Sequence, residues 1–429
     1  MSAAGRKGLR KVLKGLKEDL SIIKGNFLVL LVTWIIFRMA YGLITPYEPL
    51  YIRSLGATPT VLGLMGAASM ATFCLSLIPG SYVADRYGRR RVIVVMTFVL
   101  GLSYVFYIMA PDWPYSPGWQ LILAGMLFAS LARLYGPALD AMTADSLPPD
   151  KRGVGYAMTI VIPSAFAIAS PTVAAMLIAE FGFIEGVRLA YVVVFLSFLL
   201  VSAIRFFFLR ETVSPAKPTG KMSITRLYAE SIKDVVGALR NASRSLKALM
   251  LAPLLAMPLS QVFWGTFFPL FVVDFSGITE EEWGTMNSTR LAFSLLVCLP
   301  MGKLADRLSR KKLLVVRYVA VAPIVSFLAF ANGFVQVLAA LLLMDLLSYV
   351  GSSAMRALLA DLTPRGMRGR VSGARSLLLN LLSIPTAPLT GFIYENIDPR
   401  LPFYVISAMS LIIAIALAGL VEEPGEREP

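Results

Sequence analysis

Apolar residues in this chain gather into long runs separated by short polar turns. Twelve runs are long enough to cross ~30 Å of hydrocarbon at ~1.5 Å per helical residue. They lie near 27–50, 59–82, 92–110, 118–144, 154–179, 188–209, 248–273, 284–304, 313–331, 335–360, 371–394 and 401–421. The pattern predicts an all-α membrane protein of twelve helices. It divides the chain into a basic N-terminal segment (1–26), a first six-helix bundle (27–209), a linker (210–247), a second six-helix bundle (248–421) and a short tail (422–429). In the N-terminal segment Leu9, Val12, Leu13, Leu16, Leu20 and Ile23 recur at helical spacing among lysines. That fits a helix lying on an anionic inner leaflet; a basic tail without structure fits as well. In the linker, Ile224, Leu227, Tyr228, Ile232, Val235, Val236 and Leu239 mark one face of an interfacial helix tethering the bundles.

Two of the polar turns nearly repeat each other. Gly80–Arg91 reads Gly-Ser-Tyr-Val-Ala-Asp-Arg-Tyr-Gly-Arg-Arg-Arg, and Gly302–Lys312 reads Gly-Lys-Leu-Ala-Asp-Arg-Leu-Ser-Arg-Lys-Lys. Asp85 and Asp306 lie 221 residues apart, about half of the 429-residue chain. The fourth run ends on Asp140 and Asp145, and the tenth on Arg356 and Asp361, an offset of 216. Such a half-chain echo points to two parallel membrane repeats.

Composition agrees with that class. Hydrophobic residues make up 57% of the chain and charged ones 15%, below the ~25% charged of soluble domains, and mean hydropathy is +0.72. The net charge of +14 is placed by topology rather than for nucleic acid. With the N-terminus inside, inner segments hold 30 of the 40 Lys and Arg and outer loops hold three, Arg53, Arg188 and Arg400. Positive charge collects on the cytoplasmic side, so both termini are expected in the cytoplasm of a multi-pass plasma-membrane protein. The basic start leads into a run of spanning length, so no cleavable signal is expected. Cys74 and Cys298 sit inside apolar runs and read as small hydrophobes. There is no His, which removes the commonest metal ligand and the usual neutral-pH titrant. No metal or cofactor is expected, and proton coupling has to use Asp or Glu. Neither a phosphate-binding Gly-x-x-x-x-Gly-Lys loop nor a His-containing catalytic triad is present. The chain therefore reads as a non-enzyme driven by an ion gradient, or by its substrate's own gradient in facilitated diffusion, and expected to be monomeric.

With these features the sequence resembles the major facilitator superfamily over nearly its whole length. The family writes the loop between helices 2 and 3 as Gly-x-Leu-Ala-Asp-Arg-x-Gly-Arg-Lys/Arg-Lys/Arg. Here Ser81 takes the slot of the first Gly, and the second copy keeps that Gly as Gly302 but has Ser309 for the second. The resemblance leans toward the proton-coupled drug-efflux branch. Its Gly-Pro-x-x-Gly-Gly pattern in helix 5 meets Ser170, Pro171, Ala174 and Ala175, whereas its helix-4 Arg-x-x-Gln-Gly is not reproduced around Arg133. The resemblance implies two pseudo-symmetric bundles rocking about a central site. It also implies that Asp85 latches the cytoplasmic side near the start of helix 11, at Gly369–Ser372. Arg86, Arg89, Arg90, Asp306 and Arg307 join Asp85 as cytoplasmic-gate candidates; the alternative is that these charged residues, with Arg91, are topology anchors only.

Ionisable residues within membrane runs are costly and point to function. Asp345 is the carboxylate placed nearest mid-depth, so it leads the proton-coupling candidates ahead of Asp140 and Glu48; a buried structural ion pair is the alternative. Asp140 and Arg356, equivalent in the two repeats and opposite in charge, are candidates to pair across a cytoplasmic gate. Candidate substrate contacts are Arg38, Tyr41, Tyr47, Arg133, Gln261, Trp264, Phe267, Phe268, Asn287, Arg290 and Asn380, the aromatics being equally explicable as packing. Two substrate classes follow: amphipathic cationic or neutral molecules exported against protons, or an organic anion met by Arg38, Arg133 and Arg290. A receptor or scaffold role has no sequence feature in its favour.

Overall fold

Helix starts follow the local chemistry of the turns. Thr58, ahead of Pro59, accepts the Val61 N–H at 3.4 Å, and Thr279 with Glu282 forms a reciprocal capping box at 3.2 and 3.0 Å. Ser309 accepts the Lys312 N–H at 3.3 Å. In the first charged turn the chain reverses at Gly88 with φ +90°, where only glycine is unstrained. In the second copy the equivalent Ser309 has φ −62°. That turn needs no positive φ, which is why Ser stands there.

The computed structural model describes residues 20–213, 233, 237, 240, 242–364 and 367–423. Residues 1–19 and the proposed apolar face of the linker helix lie outside them. No strand occurs among the described residues, whose helices fall into twelve spans. The second, third, sixth, eighth and ninth spans run unbroken as Pro59–Tyr87, Arg89–Met109, Phe183–Phe208, Glu280–Arg307 and Arg310–Leu328. The tenth, eleventh and twelfth are Gly333–Asp361, Arg368–Asn396 and Leu401–Leu420.

Four runs that read as continuous are broken. The first is Gly25–Ile44 followed by a short helix, Glu48–Ser54, around Pro46 and Pro49. The fourth is Gly118–Ala132 and Gly136–Asp145, joined by a 3-10 turn at Arg133–Tyr135. The fifth is Arg152–Phe166 and Ser170–Phe181. The seventh bends by 43° between Arg244–Leu255 and Met257–Phe275 and carries a π turn at Phe263–Phe267. Proline removes a helix donor, and membrane helices tolerate the break where neighbours resatisfy the backbone.

Nine described helices are long and apolar enough to cross a membrane, and the bent seventh span is a tenth. The eighth is diluted by Asn287, Ser288, Thr289 and Arg290, and the ninth by Lys311, Lys312 and Arg317.

Spans alternate in direction, so the start of the first span, the end of the sixth, the start of the seventh and the end of the twelfth share one end of the molecule, here called the linker end. Asn26 Nδ2 donates to the Arg210 carbonyl at 2.8 Å, tying the start of the first span to the exit of the sixth. The Glu422 N–H donates to Ser245 Oγ at 3.0 Å, tying the tail to the start of the seventh. Among the described residues, the two bundles come into backbone contact at the opposite, far end. There the second span lies backbone against backbone on the eleventh: a Cβ on Gly63 would come within 2.4 Å of the Ala387 carbonyl oxygen.

Candidate functional site

Among the described residues, polar contacts between the bundles gather in the far half. Arg53, closing the first span, is ion-paired with Asp274 of the seventh. Trp283 Nε1 donates to the Pro46 carbonyl at 2.9 Å, the Thr60 N–H to Glu395 at 2.8 Å, and the Thr172 hydroxyl bonds Ser288 Oγ at 2.8 Å. Small residues permit this approach. A Cβ on Gly284 would meet the Pro171 carbonyl at 2.7 Å and Ala175 Cβ at 2.9 Å. The small residues in the fifth-span pattern thus serve helix crossing.

At the linker end, Asp140 and Arg356 are both exposed and do not pair with each other. The basic turns there are tied within their own bundles. Arg89 pairs with Asp145, and the Arg90 N–H donates to Glu211 at 3.0 Å. In the second repeat Arg310 pairs with Asp361, and its N–H donates to Glu423 at 2.9 Å. Arg86 donates to the Tyr82 hydroxyl at 3.0 Å. The side chains of Asp85, Asp306 and Arg307 lie outside the described residues.

Between the closed far end and the linker end lie two cavities that share one ion pair. One, of about 400 Å³, sits in the second bundle and is lined by Gln261, Trp264, Phe268, Arg317 and Tyr318, among others. The other, of about 320 Å³, lies between the bundles and is lined by Arg38, Tyr41, Asn287, Ser294 and Tyr349. Arg290 and Asp345 line both. Arg290 Nε and Nη2 each donate to a carboxylate oxygen of Asp345 at 2.9 Å, a bidentate fork that gives the pair strength and a fixed orientation.

The first bundle has a smaller cavity of about 170 Å³. There Arg133 Nη2 donates to the Tyr41 hydroxyl at 2.8 Å, and the Tyr107 hydroxyl donates to Glu48 at 2.9 Å. Arg133 lies in the 3-10 break of the fourth span, which lets it turn toward the first.

The structure thus brings Arg38, Tyr41, Asn287, Arg290 and Asp345 around one space and Gln261 and Trp264 around the adjoining one. Asn287 spends its side-chain N–H on the Trp283 carbonyl at 2.8 Å. Phe267 and Tyr47 are fully buried, Tyr47 donating to the Pro171 carbonyl at 3.4 Å. Asn380 is half-buried and lines neither of the two adjoining cavities.

Three arginines escaped the sequence reading. Arg205 is buried, donating to Thr33 Oγ1 at 3.2 Å and Thr97 Oγ1 at 2.8 Å, which ties the first, third and sixth spans together. In the second bundle Arg317 lines the larger cavity, and Arg375 donates to the Met257 sulfur at 3.4 Å. All three stand inside predicted membrane runs, the same signal that singled out Arg38 and Arg290.

A sequence profile described as Major Facilitator Superfamily matches residues 30–289 and 266–429. The chain belongs to the major facilitator superfamily. It is 25% identical over 395 residues to an uncharacterised MFS-type transporter of Methanocaldococcus jannaschii, covering 88% of this chain and 90% of that one. It is 26% identical over 405 residues to the multidrug resistance protein MdtG of Salmonella heidelberg, covering 90% and 93%. Its fold is similar to that of a D-xylose–proton symporter, with a TM-score of 0.72 at 14% identity over 94% of this chain and 99% of that one. The protein is therefore a multi-pass membrane transporter rather than an enzyme.

Proposed function

We propose that this superfamily member is a proton-coupled exporter of amphipathic small molecules, a multidrug-type antiporter of the plasma membrane. The observation that carries the reading is the Arg290–Asp345 pair, which borders both cavities beneath a closed far end. A proton on Asp345 cancels one charge of the fork and frees Arg290, so protonation changes what holds the site together. Glu48 and Asp140 are further proton acceptors, one in the first-bundle cavity and the other at the linker end.

The excess of Lys and Arg in the linker-end loops assigns that end to the cytoplasm. The conformation then faces inward, ready to load from the cytoplasm, with the anionic inner leaflet against its basic turns. Rocking of the bundles about the central cavity closes the linker end and parts Arg53 from Asp274. Likeness to MdtG over most of both chains supports the export of drug-like molecules. Aromatic and polar residues together in the larger cavity support amphipathic cargo.

The test is dye movement in proteoliposomes under an imposed pH gradient. The reading expects accumulation of an amphipathic dye against its own gradient, lost in Asp345→Asn. Movement unaffected by the gradient would refute proton coupling.

A further inference from the structure

The charges around the central space do not balance. Among the described residues, Arg38, Arg290 and Arg317 line the two adjoining cavities against Asp345 alone, a net charge of +2. Asp345 is already committed to Arg290 through both of its oxygens. Arg38 has no ion-pair partner among the described residues, and Arg317 Nε is buried without a hydrogen-bond partner. Arg375, in the same bundle, spends one N–H on the Met257 sulfur at 3.4 Å.

The backbone makes room for Arg317. A Cβ on Gly351 would fall 1.9 Å from Arg317 Cδ, so only glycine lets that side chain lie across the tenth span toward the cavity. Its guanidinium also sits 4.9 Å from the centre of the Tyr318 ring, which holds it in place. Unpaired positive charge at membrane depth is expensive, and the groups positioned here are forks suited to oxyanions, planar carboxylates and tetrahedral phosphorus or sulfur oxyanions alike.

We infer that the transported cargo is an organic anion, its carboxylate, sulfonate or phosphonate group held by Arg317 of one bundle and Arg38 of the other, on either side of the Arg290–Asp345 pair. The inference rests on the export reading and narrows its cargo. Exchange of an outgoing anion for an incoming proton carries positive charge inward in both halves of the cycle. The membrane potential and the pH gradient then drive it together.

Trp264 lines the same cavity as Arg317, so a dansyl probe bound there should take up tryptophan excitation. The probes are dansylglycine (anionic), dansylamide (neutral) and dansylcadaverine (cationic), titrated onto the full chain in nanodiscs of phosphatidylcholine only. The expected result is saturable dansylglycine binding at least ~10-fold tighter than either other probe. It should weaken about 10-fold or more in Arg317→Gln and in Arg38→Gln, and stay unchanged in Arg188→Gln, whose arginine pairs with Asp112 at the far surface. Gly351→Ala, which evicts the Arg317 stem, should weaken binding in the same direction.

Equal or tighter binding of the neutral or cationic probe, or dansylglycine affinity indifferent to Arg317, overturns the inference. Displacement of dansylglycine by added phosphatidylglycerol, with no dansylglycine moved across vesicles, assigns the seat to a lipid headgroup and overturns it too. Export of dansylcadaverine without dansylglycine binding removes the anion and leaves the export reading intact. Arg317-dependent binding that lipid does not displace, with none of the probes translocated, keeps the anion seat and removes the export reading.

Discussion

Arg53 and Asp274, 221 residues apart, occupy the same place in the two repeats and pair with each other across the molecule. Their offset equals that between Asp85 and Asp306. An axis along the membrane normal brings equivalent positions of two parallel repeats face to face, so opposite charges at one repeat position make a self-addressing latch. Asp140 and Arg356 also carry opposite charges at one repeat position, at the linker end, where they do not pair. In the export cycle proposed above, the far pair is closed while the linker-end pair is parted.

Each partner of the far latch is about 30% exposed, so the pair is worth at most ~1 kcal/mol. Asp274→Asn should therefore shift the population toward the far-open state by no more than about fivefold. Labelling of Thr45→Cys, on the wall of the inter-bundle cavity, by an impermeant maleimide from the far side should rise accordingly. The swapped pair, Arg53→Asp with Asp274→Arg, should return it to the wild-type rate. A swap that labels as fast as the single variant would show that the pairing carries nothing.

The Arg290–Asp345 fork should behave as a unit. Arg290→Gln and Asp345→Asn each leave one charge stranded between the two cavities, so each should lower transport at least ~10-fold. The double variant should lose less than the sum of the singles, with a coupling of about 1–3 kcal/mol. Additive losses in a double-mutant cycle on transport rate would mean that the residues act separately.

Gly63 tests far-end closure by sterics alone. Its missing Cβ leaves the Ala387 carbonyl room that even Val would occupy, and the atoms in the way are backbone. Gly63→Val should hold the far end open and abolish turnover while the protein remains folded. Far-side labelling of Thr45→Cys should be fast whether or not cargo is present. Labelling as slow as in wild type would place closure elsewhere.

The span count, the two bundles and some of the membrane arginines, Arg38, Arg133 and Arg290 among them, were legible because hydrophobicity and charge are local signals. Breaks at Arg133–Tyr135 and Phe263–Phe267 were not. Their neighbours satisfy the freed backbone groups, and that depends on the fold. Asp345 could be singled out by depth, but its partner Arg290 comes from a different span 55 residues away, a distance in sequence that periodicity does not bridge. Arg317 carried the same signal, a charge within a membrane run, but which way its helix faces depends on packing; it lines the larger cavity and crosses the tenth span at Gly351.

Glu423, in the tail, gives a pH-dependent prediction. Burial pushes its carboxyl upward, but the Ser309 hydroxyl, the backbone N–H groups of Arg310 and Lys311 and the Arg310 charge outweigh this and hold it below the usual value. A depressed carboxylate stabilises the fold above its unfolded pKa, and that contribution disappears as pH falls through the folded value. Glu423→Gln should lower the unfolding temperature at neutral pH, by an amount corresponding to under ~1 kcal/mol at this exposed site. The gap from wild type should close below about pH 4. A gap that persists or widens in acid would contradict the assignment.

Alternation itself is most directly tested by two distances measured by electron–electron double resonance in a background without Cys74 and Cys298. One pair of labels, at Ser54→Cys and Phe275→Cys, flanks the far latch; the other, at Ala144→Cys and Ala360→Cys, flanks the linker-end pair. The account predicts opposite movement when pH is lowered or cargo is added: the far distance lengthens as the linker-end distance shortens, and Asp345→Asn blunts the response to pH. Two distances that lengthen together, or that ignore both proton and cargo, would contradict it.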